Sequence, residues 1–105
     1  MIVRPTSEEV VKKQQERDKK RIERRKNDLR KILSIPEGRR FYWELLTKAG
    51  VFRTSFTGTS TTYFNEGKRE IGLQLLAELM EVKPEAFTQM QREYKSLQKE
   101  ENKEV

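Results

Sequence analysis

The first third of the sequence can form a long helix that has almost nothing to bury, and this limits the fold more than any other feature. Thr6 followed by Glu9 has the spacing of a capping box, which predicts that a helix begins there. Continued to residue 33, this helix is about 40 Å long. Between Val11 and Leu29 a single residue is apolar, so the helix cannot build a core on its own.

The predicted helix has two opposite faces. When residues are placed at about 100° intervals, four aliphatic side chains fall on one narrow line, which we call the apolar line: Val11, Ile22, Leu29 and Leu33. Five cations fall on the opposite side and form the basic ridge: Lys13, Arg17, Lys20, Arg24 and Lys31. The helix therefore offers one surface for docking on a partner and another for binding negative charge.

Charge is concentrated in the same part of the chain. Residues 1–40 hold 14 Lys or Arg against 7 Asp or Glu, a net charge of +7, whereas residues 41–105 hold 9 against 10, a net charge of −1. The basic ridge predicts contact with nucleic-acid phosphates or with an acidic protein, and the residue types do not choose between them. The alternative is a solvated face that only keeps the helix in solution.

A second helix is predicted directly after the first. Ser34 with Glu37 repeats the capping-box spacing, and the helix is expected to run over about residues 36–49. Gly50 is placed as its C-terminal stop.

The next segment, residues 53–62, contains seven Ser or Thr in ten residues and is predicted to be a loop. Its hydroxyl groups are expected to form caps and turns rather than a phosphate site. Apolar residues at helical spacing predict a third helix over about residues 63–82, and a fourth helix is expected after Pro84.

These patterns predict an all-α fold in which a long basic N-terminal helix joins a compact three-helix unit. No strand pattern and no internal repeat is evident. We expect a basic helical arm at residues 1–35, a helical domain at residues 36–98 and a polar tail at residues 99–105.

Several functional classes are made improbable by what the sequence lacks. It has no Cys and no His, which removes thiolate nucleophiles, disulfides and the commonest general base and metal ligand. No apolar run approaches the roughly 18 residues of a membrane-spanning helix. We therefore expect a protein that is not an enzyme, that binds no cofactor or metal and that has no membrane span.

Aromatic residues gather around the loop rich in Ser and Thr: Phe41, Tyr42, Trp43, Phe52, Phe56 and Phe64. In a chain this small, such residues are expected to form the core rather than stack on bases. Phe41, Tyr42 and Trp43 are adjacent, so they cannot all point inward from one helix. At least one of them is expected to be exposed or pressed against a partner.

Short motifs over residues 38–92 carry a family resemblance. They are Gly38-Arg39-Arg40-Phe41 with Trp43, Ala49-Gly50-Val51-Phe52, Ser55-Phe56-Thr57-Gly58, Phe64-Asn65-Glu66-Gly67 with Arg69, Gly72-Leu73 before Leu75-Leu76, Pro84-Glu85-Ala86, and Gln89-Met90-Gln91. At this spacing the segment resembles a family of small proteins encoded among the virion genes of tailed bacteriophages and named after a Bordetella phage member. The resemblance covers about half of the chain and leaves out the basic arm.

The resemblance implies a structural or DNA-delivery component of a phage particle, located in the virion and assembled in the host cytoplasm. The expected partner is a larger phage protein, such as a portal, adaptor or internal protein, with several symmetric copies of this chain and with DNA as a second partner. The alternative is a cytoplasmic regulatory or packaging accessory protein that binds nucleic acid. The expected family positions are Phe41, Trp43, Phe52, Ser55, Phe56, Phe64, Asn65, Gly67 and Arg69.

Overall fold

The structure is a computed structural model and describes residues 3–4, 6–53 and 61–103. Four helices account for most of these residues: α1 (Ser7–Leu33), α2 (Pro36–Lys48), α3 (Thr61–Val82) and α4 (Glu85–Lys103). The described ranges contain no strand, so the predicted all-α fold is confirmed. The molecule measures 77 × 39 × 19 Å, and its Cα radius of gyration of 19.9 Å exceeds the roughly 13 Å of a compact chain of this length.

Local hydrogen bonds fix the start of α1 as predicted. The backbone N–H of Glu9 donates to Thr6 Oγ1 at 3.2 Å, and the backbone N–H of Thr6 donates to Glu9 Oε2 at 3.1 Å. Both bonds of the capping box are therefore present. Because these bonds join residues three apart, they hold the start of the helix without help from the rest of the fold.

The predicted capping box between Ser34 and Glu37 is wrong. Ile35 is the N-cap of α2 and makes no side-chain cap hydrogen bond, and Pro36 opens the helix. The Ser34 hydroxyl instead donates to the carbonyl oxygen of Lys31 at 2.7 Å, which caps the end of α1. Ser34 is the C-cap of α1 and lies one residue before the N-cap of α2, so its hydroxyl is placed to cap the helix that ends there and not the helix that begins.

The ends of α2 and α4 differ in how well the sequence predicts them. Gly50 adopts a φ of +79° immediately after α2, the left-handed conformation expected of a glycine stop. Helix α4 continues to Lys103, so it includes most of the residues expected as a polar tail. Lys, Glu and Gln are strong helix formers, so this end of α4 needs few apolar contacts to stay helical.

The core draws on all four helices and on the turn after α2. Its buried residues are Leu29, Leu33, Tyr42, Leu46, Val51, Leu79, Ala86 and Met90. Helix α2 lies at the centre and packs against each of the other three helices. Leu29 and Leu33 come from the segment that we assigned to the arm, so the core extends past the expected border at residue 35.

Two glycines allow the helices to approach closely. A Cβ on Gly38 would overlap the carbonyl oxygen of Ile32, so the start of α2 lies directly against the end of α1. A Cβ on Gly72 would lie 2.5 Å from Val51 Cγ2 and 2.6 Å from Ala49 Cβ, so α3 rests on the turn that follows α2. At both contacts there is no room for a side chain.

A buried arginine joins three helices. Arg39 of α2 is only 7% exposed, and its guanidinium contacts the Glu93 carboxylate of α4 at 2.8 and 2.9 Å. The same guanidinium donates to the Leu33 carbonyl oxygen at the end of α1, at 3.0 Å. The arrangement pairs the buried positive charge with a carboxylate. It also gives a hydrogen-bond donor to a carbonyl at the end of α1 that has no partner within its own helix.

The buried phenol of Tyr42 makes the stability of the fold depend on pH in the alkaline range. Its hydroxyl donates to the Leu75 carbonyl oxygen at 2.8 Å, and burial, followed by the negative charge of Glu78, raises the pKa of Tyr42 to about 12. A raised pKa stabilises the folded state fully below the unfolded value of about 10.

This contribution is lost as the pH rises through 10 to about 12, where we expect the free energy of unfolding to fall by about 2–3 kcal/mol. Urea unfolding at stepped pH checks this. Tyr42→Phe should start about 1 kcal/mol less stable, because the hydrogen bond is lost, and should lack the decline due to the phenol. If the free energy of unfolding falls equally with pH in the two proteins, Tyr42 is not the cause of the decline.

Candidate macromolecule-binding surfaces

Most of α1 projects beyond the core. Every residue from Thr6 to Arg25 is exposed, whereas Leu29 and Leu33, farther along the same helix, are buried. We call Thr6–Arg25 the projecting segment. Its 20 residues correspond to about 30 Å of helix. It contributes no residue to the described core.

Two ion pairs mark where the projecting segment meets the rest of the protein. Arg25 Nε lies 2.7 Å from Glu78 Oε2, and Lys26 Nζ lies 3.0 Å from Glu81 Oε1, so both pairs join α1 to α3. The hydrogen bond and the charge of Glu78 raise the pKa of Arg25. Arg25 is largely exposed, and such pairs contribute only about 0–1 kcal/mol, so they orient α1 more than they stabilise it.

The basic ridge lies wholly at the surface. Its five side chains are exposed, and none of them forms an ion pair with any residue that the structure describes. From Lys13 to Lys31 the ridge spans about 27 Å of helix rise. Lys20, Arg24 and Lys31 line one shallow depression of about 510 Å³. Lys13 and Arg17 extend the same face toward the tip.

Acidic side chains interrupt the ridge without neutralising it. Glu23 and Asp28 line the same depression as the three ridge cations, together with Lys19 and Asn27. Over residues 12–31, eleven Lys or Arg stand against four Asp or Glu, a net charge of +7. This count covers all sides of the helix and includes Arg25 and Lys26, which pair with α3, but the segment still carries an excess of positive charge. The binding role of the ridge stays a prediction.

The apolar line is divided between the core and the surface, which corrects its assignment as one docking face. Leu29 is 4% exposed and Leu33 is fully buried, so the chain's own helices already cover them. Val11 and Ile22 are each 54% exposed and lie in the projecting segment. Docking on a partner stays a prediction for these two residues alone.

The three adjacent aromatics of α2 separate as their helical positions require. Tyr42 is buried, Trp43 is half-buried and Phe41 is 61% exposed, so the expectation that at least one would face outward is confirmed. Trp43 stacks on Phe52 with ring centroids 4.8 Å apart, and Phe87 lies at 5.7 Å on the same indole. Trp43 and Phe52 therefore contribute mainly to packing within the protein.

The remaining family positions lie mainly in the first half of α3. Phe64 is 67% exposed, with the Lys68 ammonium 5.3 Å from its ring centroid. Asn65 and Arg69 are half-buried, and Gly67 is exposed with open space around it. Ser55 and Phe56, with most of the loop rich in Ser and Thr, lie outside the described residues.

A groove between α2 and α4 was not expected from the sequence. It has a volume of about 500 Å³, and its lining includes the apolar side chains of Trp43, Met90 and Leu97, which we call its floor. Its rim is charged, with carboxylates from Glu44, Glu100 and Glu101 and cations from Arg40 and Arg92. The two walls lie about 50 residues apart in the chain, so no local pattern could reveal them.

The described residues contain neither a membrane-spanning helix nor a cluster of metal ligands. None of the helices there is long and apolar enough to span a membrane. No group of three or more acidic side chains there is arranged to hold a metal ion.

Comparison with known proteins gives a family match over part of the chain. The family model described as Bbp19-like phage protein matches residues 29–92. No curated protein and no solved structure matches the chain significantly. The matched range begins at Leu29, the first buried residue among those that the structure describes, and ends beside Glu93, so it covers the buried core residues and omits the projecting segment.

Proposed function

Because the matched range covers more than half of its length, the chain belongs to the family of Bbp19-like phage proteins, and we propose that it is a non-enzymatic structural component of the phage particle. The proposed partner is a larger particle protein at the portal or tail channel or among the components that deliver DNA. The portal, an adaptor and an internal protein are the candidate classes.

One observation carries this proposal. The projecting segment is a capped helix, exposed over its whole length, with free cations on one side and exposed aliphatic residues on the other. A helix that covers none of the protein's own core gains stability by packing on another surface. Packing on a neighbouring protein of the particle would cover this element.

The basic ridge supports contact with DNA or with an acidic protein surface. Five exposed cations can release counterions when they meet phosphates, and this makes binding depend strongly on salt. The same ridge is the reason to keep a second candidate, a phage regulatory or packaging accessory protein that binds nucleic acid in the host cytoplasm. The two candidates differ in whether the chain is found in finished particles.

Mass spectrometry of purified particles, combined with one charge-reversal variant, separates the candidates. We expect the wild-type chain in the particles. We expect Lys13→Glu/Arg17→Glu/Lys20→Glu/Arg24→Glu to lose DNA affinity by at least about a hundredfold, with a salt slope lower by about 3–4, because up to four phosphate contacts are removed. Retention assays over a series of salt concentrations measure this loss.

A matched control changes the net charge equally at exposed sites elsewhere. Lys48→Glu/Lys95→Glu/Lys99→Glu/Lys103→Glu should bind DNA much better than the ridge variant. Absence of the chain from particles would overturn the structural role and favour the accessory role if DNA binding is salt-dependent. Equal DNA affinity in the ridge variant and the wild type would exclude contact between the ridge and phosphates.

A further inference from the structure

The groove between α2 and α4 has the form of a site for a helix. Its floor is apolar, and Met90 at its base is only 2% exposed. Tyr94, 40% exposed, lies on the same side of α4 and stands 5.7 Å from the Trp43 ring. Arg39 and Glu93 neutralise each other in the wall, which leaves three carboxylates against two cations at the rim. The groove therefore favours an apolar helix face flanked by positive charge.

The projecting segment carries such a face. Val11 and Ile22 supply the exposed aliphatic side chains. Lys12, Lys19 and Arg21 lie within about 100° of the line through them, on both sides of it, and Glu8 and Asp18 lie within the same arc. Three cations against two carboxylates leave this face with a net charge of +1. All three cations are exposed, and none forms an ion pair among the described residues. They could reach the carboxylates at the rim while the aliphatic residues face the floor.

We propose that the projecting segment of one copy of the chain docks in the α2/α4 groove of a second copy. This inference deepens the proposed function, because it names a second copy of the chain as one of the neighbours in the particle. A chain cannot occupy its own groove in this fold. The groove begins at Pro36, just after the end of α1, whereas Val11 lies about 33 Å back along the same straight helix.

Such docking joins two different surfaces, the segment of one chain and the groove of the next. Contacts of this head-to-tail type generate a closed ring if the rotation between copies closes, and a filament if it does not. The basic ridge is on the opposite side of α1 from Val11 and Ile22, so it would face outward from each docked segment. Repeated copies would then present a series of free cations to a polyanion.

Self-association of the purified full-length chain tests the proposal. Trp43 is the single tryptophan and lies in the groove floor, so its emission reports occupancy. We expect the molecular mass from light scattering to rise with concentration and the Trp43 emission to shift to shorter wavelength with it. Val11→Asp/Ile22→Asp changes only exposed residues and should weaken association by at least about a hundredfold.

A mixing experiment identifies the geometry. Glu100→Lys/Glu101→Lys should also prevent association, while Glu66→Lys/Glu70→Lys, an equal charge change at exposed sites of α3, should not. When the segment variant and the groove variant are mixed, each still has one intact surface. The intact segment of the second should dock in the intact groove of the first, which gives a 1:1 complex.

Three outcomes would overturn the proposal: a wild-type chain that stays monomeric at its highest soluble concentration, association that survives Val11→Asp/Ile22→Asp, and a mixture that forms no complex. A monomeric chain that is nevertheless present in particles would mean that another phage protein contacts the projecting segment. The proposed function would then stand while the self-docking fails, so the two failures are distinguishable.

Discussion

Replacing Glu93 by alanine is expected to destabilise the fold by about 2–4 kcal/mol, because it leaves the buried Arg39 guanidinium without its carboxylate. The two partners are unequal. The Arg39 side chain is 8% exposed, whereas the Glu93 side chain is 37% exposed and can regain water when its partner is removed. Arg39→Met should therefore cost less than Glu93→Ala, about 1–2 kcal/mol, although it also removes the hydrogen bond to the Leu33 carbonyl.

Urea unfolding of the three proteins measures these differences as shifts of the midpoint at constant slope. Glu100→Ala is the control, since Glu100 lies on the same helix and is exposed, and surface changes of this kind usually stay within about 0.5 kcal/mol. If Glu93→Ala is no more destabilising than Glu100→Ala, the guanidinium does not depend on this carboxylate in the folded state.

A methyl group on Gly38 is expected to destabilise the protein by about 3 kcal/mol, at the upper end of overpacking costs. The atom that it would overlap is the carbonyl oxygen of Ile32, which belongs to the backbone and cannot rotate away. Helices α1 and α2 would have to separate at the point where Arg39 reaches the Leu33 carbonyl. The expected loss therefore combines overpacking with a strained hydrogen bond.

Gly67→Ala is the matched control, and its expected effect on stability has the opposite sign. Gly67 lies inside α3 with nothing within 4 Å of its added Cβ, so alanine should stabilise the helix by about 0.5–1 kcal/mol. Thermal and urea unfolding of the two variants measure the difference. A Gly38→Ala protein as stable as the wild type would mean that the contact between the two helices is looser than described.

Gly38 and Gly72 explain part of the motif pattern that carried the family resemblance, whereas Gly67 has open space around it. Gly38 and Gly72 occur in the motifs because helices meet there without space for a side chain, and Arg39 because it joins α1, α2 and α4. Phe41 and Phe64 are different, because both are largely exposed and packing in the described core does not account for them. The motifs thus report the fold more than a binding chemistry.

Local signals predicted much of the architecture. The capping box at Thr6, the glycine stop at Gly50 and the helical spacing of apolar residues in α3 all depend on neighbours within a few residues. The sequence did not show where α1 leaves the core, because the apolar line looks uniform along the helix. Nothing local separates Ile22, which is exposed, from Leu29, which is buried.

The sequence by itself determined that α1 is a long capped helix with a basic ridge opposite an apolar line, because hydrogen bonds over three or four residues and the helical repeat are local properties. Only the tertiary structure decided where that helix leaves the core, which charges are buried and where a groove lies. Those features arise where residues about 50 positions apart meet, as Arg25 meets Glu78 and Arg39 meets Glu93. Contacts over such separations depend on how whole helices pack, which the spacing within one helix does not encode.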